Sequence, residues 1–220
     1  MTTKLIVAVD GPAAAGKGTL ARALADALGL PYLDTGLLYR AVGRRMLDAG
    51  LDPAGDAGPI AQALQPADLR RDDLRVPDVD RAASLVAAQP AVRAALLAFQ
   101  RGFGAEQGAV LDGRDIGTVI FPDAPVKLFV TASTRARAER RWRQLDGAAA
   151  TPAEQEAAIA AVQAELEARD AADAARQAAP LRAAPDAIHI DSDRLDAQAV
   201  LQEALRIVRQ RFPAPGTGAG

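Results

Sequence analysis

Residues 5–19 read Leu-Ile-Val-Ala-Val-Asp-Gly-Pro-Ala-Ala-Ala-Gly-Lys-Gly-Thr. An apolar run, Leu5 to Val9, enters a loop bounded by Gly11 and Gly16, and a helical pattern follows Lys17. No other feature restricts the fold as much. A buried strand, a glycine-bounded loop and a helix start make a phosphate cradle: loop N–H groups turn inward, the lysine reaches the outer phosphates, and the helix presents its positive end. The competing reading is a chance glycine cluster, but chance does not also supply a strand before it and a helix after it. Gly11, Pro12, Ala13, Ala14, Ala15, Gly16, Lys17, Gly18 and Thr19 are therefore expected to hold a nucleoside triphosphate.

Composition narrows the rest. A chain of 220 residues suits one domain, taken here as 1–212. Aromatic residues are only 4%, so the core must be aliphatic. With 26 basic and 28 acidic side chains, bulk charge gives no reason to expect a nucleic-acid or membrane partner. The absence of cysteine excludes a disulfide framework and a Cys-based zinc site. The first apolar run is too short for a signal peptide or a membrane span, and a cytoplasmic monomer is expected.

Short apolar runs alternate with helical patterns along the chain. Leu5–Val9, Tyr32–Leu33, Ala109–Leu111, Val126–Val130 and Ala187–Ile190 are apolar but for Lys127 and His189 and do not alternate, as suits strands covered on both faces. The expected fold is α/β: a doubly wound parallel five-stranded sheet, with ligands at the carboxyl ends of the strands. Two stretches break the rhythm. Residues about 51–83 are rich in Pro, Asp and Arg and read as a short insert, with Leu74–Val79 as its last strand and Pro77 restricting that strand to an edge. Residues about 146–180 are alanine-rich and charged, and a helix with so little apolar surface packs weakly and can move as a lid. Residues 213–220 read as a disordered tail. Phe99, Phe103 and Trp142 are expected to serve packing, and His189 a structural role.

Each strand end delivers a polar cluster. Asp34-Thr35-Gly36 with Tyr39-Arg40 brings a hydroxyl, a phenol and a guanidinium to a helix start, a second anion site, although Asp34 or Thr35 could equally be a cap. In Asp112-Gly113-Arg114-Asp115-Ile116-Gly117-Thr118, an acid ending an apolar strand beside a phosphate loop suits magnesium held through water, and Arg114 suits a phosphate fork. Arg169, Asp173 and Arg176 share one helix face, where a solvated salt-bridged face is the plainer reading. Arg137, Arg140, Arg141 and Arg143 crowd one helix, which is costly unless an anion is near. Two anion sites, an acid and mobile arginines suit phosphoryl transfer between bound nucleotides.

Together with Phe121-Pro122-Asp123-Ala124, Ser84, Pro90-Ala91-Val92-Arg93 and Ala179-Pro180-Leu181, these motifs run in an order that resembles bacterial cytidylate kinases, within the nucleoside monophosphate kinases. The resemblance covers nearly the whole chain. It implies that the first loop binds ATP with magnesium and that CMP or dCMP is the acceptor. It implies that Thr35, Tyr39, Arg40 and Arg114 hold the acceptor phosphate, that Ser84, Arg93 and Asp115 read cytosine, and that Arg169 and Asp173 meet the sugar. Lys17, Arg114, Arg141 and Arg176 would be catalytic, and Asp112 would hold the metal through water. Gly18 separates Lys17 from Thr19, which sets the loop apart from the common pattern but matches this group. A kinase for UMP, AMP or shikimate, a nucleotide switch and a silent binding module are the rival readings. The switch would need an Asn-Lys-x-Asp motif, and the chain has none.

Overall fold

The structure is a computed structural model that describes residues 4–145, 147–148, 151–193 and 195–213. The expected disordered tail lies outside the described residues, apart from Pro213. Five strands form one sheet in the order β2-β3-β1-β4-β5: β1 Ile6–Asp10, β2 Tyr32–Asp34, β3 Ala109–Gly113, β4 Val126–Thr131 and β5 Ile188–Asp191. All neighbouring pairs are parallel, and Val7 of β1 sits between Val110 and Val126.

Both faces of β1 are covered, which is why its run is apolar without alternation. Val7 and Val9 pack with Leu20 and Leu24 of α1 (Lys17–Leu28) and with Val200, Ala204 and Val208 of α8 (Ala197–Arg211). Ile6 and Ala8 join the opposite cluster, with Leu33, Leu111, Ile116 and Ile120. A second core lies beyond the β2 side of the sheet. Leu38, Val42 and Met46 of α2 (Thr35–Asp48) meet Ala83 and Val86 of α4 (Pro77–Ala87) and Val92 and Leu96 of α5 (Pro90–Ala105). The short α3 (Gly58–Gln62) packs on α5.

The expected edge strand at Leu74–Val79 is not a strand. Asp72–Arg75 forms a 3₁₀ turn and α4 begins at Pro77. Proline is well suited to that first position because its missing N–H has no helical partner there, and Asp78 and Asp80 lie in the first turn, where the helix dipole favours acids. Phe103 and Trp142 do pack against apolar clusters, whereas Phe99 is exposed although it lies three and four residues from Leu96 and Phe103. His189 is exposed on the edge strand, its ring 5.3 Å from that of Phe129.

Between β4 and β5 lie α6 (Thr134–Gln144) and α7 (Pro152–Ala175), packed on each other. A reciprocal Thr151–Glu154 capping box starts α7. Over its 24 residues α7 buries only Ile159, Leu166 and Asp173, so its apolar anchorage is slight. Among the described residues no single helix is long and apolar enough to cross a membrane.

Candidate functional site

The chain leaving β1 runs by α1 to β2 on one side, and the chain leaving β3 crosses to β4 on the other. A cleft opens where these exits diverge, at the carboxyl ends of the strands. Its volume is about 1080 Å³. The loop from Gly11 to Gly16 forms one wall. Gly11 has φ 147°, and a Cβ there would stand 2.1 Å from the Val130 carbonyl oxygen, so only glycine lets the loop cross β4. Ala14 (φ 58°) and Gly16 (φ 86°) are left-handed, which curls the intervening amides inward as an anion nest.

Lys17 is the first residue of α1 and is buried. Its Nζ donates to the Pro12 carbonyl at 2.6 Å. Burial, reinforced by the nearby Arg114 guanidinium, pushes its amine down to about 7. Asp112, at the end of β3, is pushed up to about 6 by burial and by Asp34. Its Oδ1 accepts from the Tyr32 phenol at 2.9 Å, and its Oδ2 faces Gly18. Thr19 is exposed at the rim of the cleft.

At the far end Arg93 and Asp115 pair, with the Arg93 guanidinium 5.6 Å from the centre of the Tyr39 ring. Burial pushes the Asp115 carboxyl up while Arg93 opposes the shift. The pair offers an acceptor edge beside donor N–H groups. Ser84 Oγ donates to the Asp80 carbonyl at 3.2 Å. Thr35 Oγ1 donates to the Asp112 carbonyl at 2.8 Å, so its one proton is engaged in joining α2 to β3. Asp34 is the N-cap of α2 by position only, and its carboxylate pairs with Arg75 instead.

Arg114 Nε donates to Asp173 at 3.0 Å, and Arg176 pairs with the same carboxylate. Arg176 stands one residue past α7, with extended backbone, yet points to the same place as Arg169 and Asp173. The residues expected from sequence at Lys17, Tyr39, Arg40, Arg93, Arg114, Arg141, Arg169 and Arg176 all line this one cleft. The crowded arginines of α6 do not wait for an anion. Arg137 pairs with Asp170, Arg140 donates to Ser192, Arg141 to Asp80 and Arg143 to Glu139.

Several contributors escape sequence reasoning. Asp10 ends β1 and accepts from the Ile116 and Gly117 amides at 2.8 Å each. It fixes the single π turn, Ile116–Ile120, that follows Arg114 and Asp115, and burial pushes its carboxyl up to about 6. The rule that singles out Asp112, an acid ending an apolar strand, applies equally to Asp10. Asp170 of α7 grips the phosphate loop: it accepts from the Ala13 amide at 3.3 Å and from Arg137 at 2.5 Å, while Arg137 also donates to the Ala13 carbonyl at 3.1 Å. In the sequence Asp170 stands out only as the neighbour of Arg169 in the Arg169–Arg176 run, and nothing local marks Asp80.

The family model described as Cytidylate kinase matches residues 7–210. The cytidylate kinase of Granulibacter bethesdensis is 62% identical over 212 residues, covering 96% of this chain and 99% of that one. That of Acidiphilium cryptum is 55% identical over 212 residues, covering 96% and 98%. Among solved structures, an uncharacterized protein from Eubacterium ventriosum superposes with a TM-score of 0.54 at 14% identity, covering 96% of this chain and 100% of that one. A gluconokinase from Sinorhizobium meliloti does so with 0.51 at 14% identity, covering 96% and 94%. At those identities the likeness concerns the fold alone.

Proposed function

Because the chain belongs to the cytidylate kinase family, we propose that it transfers the γ-phosphoryl group of ATP to CMP or dCMP, giving ADP and CDP or dCDP. The observation that best supports this reading is the single cleft joining the phosphate loop to the Arg93–Asp115 pair. Its volume of about 1080 Å³ reaches past the range typical of one drug-sized ligand. One chain supplies every residue named, so the reading needs no partner subunit.

In the reaction an oxygen of the acceptor phosphate bonds to the γ-phosphorus as the bond to the β,γ-bridging oxygen breaks. The protein supplies alignment and charge, with no covalent step of its own. The amides of Gly11–Thr19 hold the donor phosphates. Lys17, Arg114, Arg141 and Arg176 neutralise the transferring group. Tyr39, Arg40 and Arg114 hold the acceptor phosphate, and Thr35 sets the start of α2 beneath it. Arg169 and Asp173 meet the sugar. The residues suit magnesium: Asp112 keeps one oxygen on Tyr32 and turns the other toward the phosphate loop, and a single carboxylate is enough for an ion that retains water and takes phosphate oxygens. Such an ion would neutralise phosphate charge; Asp112 would hold it, through water. The segment of about 146–180, with α7 held against the loop by Asp170, acts as the lid that excludes water.

Selectivity rests on Ser84, Arg93 and Asp115. Cytosine presents an amine where uracil presents a carbonyl. A carboxylate accepts from the amine and repels the carbonyl, while Arg93 donates to the ring acceptors. An ADP-release assay with ATP, magnesium and CMP, dCMP, UMP, AMP or shikimate tests the reading. Turnover should be fastest with CMP or dCMP, and Asp115→Asn should narrow the CMP-over-UMP ratio. Faster turnover of another acceptor overturns the assignment, and an unchanged ratio removes Asp115 from base recognition.

A further inference from the structure

Asp80 belongs to none of the motifs above. It lies in the first turn of α4, with a side chain only 13% exposed. Its Oδ1 accepts from Arg40 Nε at 2.9 Å and its Oδ2 from Arg141 NH2 at 2.7 Å, while Arg169 NH1 stands 3.9 Å from Oδ1. Three guanidinium groups, from α2, α6 and α7, thus converge on one carboxylate from a fourth helix. Without it they would repel one another and lose side-chain order, since flexible like charges avoid a shared point in a partly dry cleft.

The contacts leave the arginines usable. Arginine carries five N–H donors in a fixed fork. Arg40 engages its Nε edge with Asp80, and its NH1 lies across Gly36 at the N-terminus of α2, where a Cβ would come within 2.8 Å. Arg141 engages one terminal nitrogen. Among the described residues, the buried Nε of Arg169 has no hydrogen-bond partner. The free edges of the three are what an incoming phosphate needs.

We propose that Asp80 is a positioning residue for phosphate binding: it gathers Arg40, Arg141 and Arg169 into place before the acceptor nucleotide arrives. This rests on the reading that Arg40 holds the acceptor phosphate. It predicts that the contribution of Asp80 is larger for ligands that carry a phosphate, through Arg40 and Arg141, than for a bare nucleoside, which meets only the sugar-facing Arg169. The opposite arrangement, a carboxylate that competes with phosphate for the same guanidinium edges, predicts that removing it tightens binding.

Calorimetry with CMP and with cytidine, on the full chain, separates these outcomes. Asp80→Asn keeps the shape and removes the charge. It should weaken CMP about tenfold and cytidine much less. Asp80→Glu, which restores the charge, should recover most of the CMP affinity, and it serves as the probe if Asp80→Asn folds poorly. In an Arg40→Ala background the Asp80→Asn change should lose most of its effect. Equal CMP affinity in wild type and Asp80→Asn, tighter CMP binding, or equal weakening of cytidine would each overturn the inference. If the wild type binds CMP no better than cytidine, the acceptor-phosphate assignment falls with it. If Arg40→Ala weakens CMP and Asp80→Asn does not, only the role of Asp80 falls.

Discussion

The state of Lys17 makes nucleotide binding a proton-linked event. Its amine is buried, donates to a carbonyl rather than to a carboxylate, and is pushed down to about 7 by desolvation and by Arg114. At pH 8 only about a tenth of the free protein carries the charge there. A bound triphosphate brings negative oxygens to the amine and favours the charged form, so binding at pH 8 must draw in ~0.9 proton per nucleotide. The sign follows: a group whose affinity for protons rises on binding makes binding weaker as pH rises through its free-state value. Between pH 8 and pH 9, where Lys17 is the group of this site still losing most of its remaining charge, ATP affinity should fall about tenfold. At pH 8 and above other groups do not imitate this. Asp10 and Asp112 are held near 6 and are ionised by pH 8, Arg169 at about 10 remains charged, and a terminal phosphate with its last ionisation near 6 is already bare. Isothermal titration calorimetry at pH 8, in two buffers of different ionisation enthalpy, counts the protons directly. Lys17→Arg, which stays charged at every accessible pH, should abolish the uptake. An uptake below about 0.2 proton in the wild type, or an affinity flat from pH 6.5 to pH 9, refutes the claim that Lys17 meets the nucleotide from a depressed, partly neutral state.

Two further outcomes follow from the same geometry. Arg114→Ala removes the guanidinium that the proposed mechanism assigns to the transferring group and should lower kcat about 10² to 10³-fold, as loss of comparable electrostatic donors does; steady-state kinetics showing a loss under threefold would take Arg114 out of that role. Gly43 lies where α2 crosses α4, and a Cβ there would stand 2.9 Å from the Ala83 amide nitrogen and 3.0 Å from the Ala82 Cβ. Overpacking of about 1–3 kcal/mol outweighs the helix-propensity gain of about 1 kcal/mol, so Gly43→Ala should lower Tm by a few degrees in calorimetry, and an unchanged or raised Tm would contradict the close approach.

How far the sequence reveals this protein depends on the range of each interaction. The strands are legible because a parallel sheet covered on both faces favours apolar runs without alternation, and Val7, Val110, Val126 and Leu128 belong to such runs, interrupted in β4 by Lys127. The phosphate loop is legible because its geometry needs glycine at Gly11. The insert is less so. Leu74, Val76 and Val79 suggest a strand, and only the placement of Pro77 ahead of Asp78 and Asp80 signals a helix start. The arginine cluster on α6 shows the limit most clearly. Its charge density is visible in the sequence, but its partners, Asp170, Ser192 and Asp80, lie 33, 52 and 61 residues away. No local pattern encodes such pairings; they exist only once the sheet has brought the helices together.

Those distant partners explain how so basic a cleft can fold. A site that grips two phosphorylated ligands must gather cations, and gathered cations oppose compaction until the ligands arrive. In this chain carboxylates stand in for them. Asp80 takes Arg40 and Arg141, Asp173 takes Arg114 and Arg176, and Asp115 takes Arg93. Each carboxylate comes from a different element than at least one of its arginines, so each contact also joins parts of the fold that meet only at the cleft. Among the described residues Lys17 has no carboxylate within bonding distance, and it lowers its proton affinity instead. The same problem, positive charge in a partly dry cleft, is therefore solved by pairing for the arginines, which cannot lose a proton, and by deprotonation for the lysine, which can. That difference is why the proton uptake on nucleotide binding should trace to residue 17 and to none of the arginines around it.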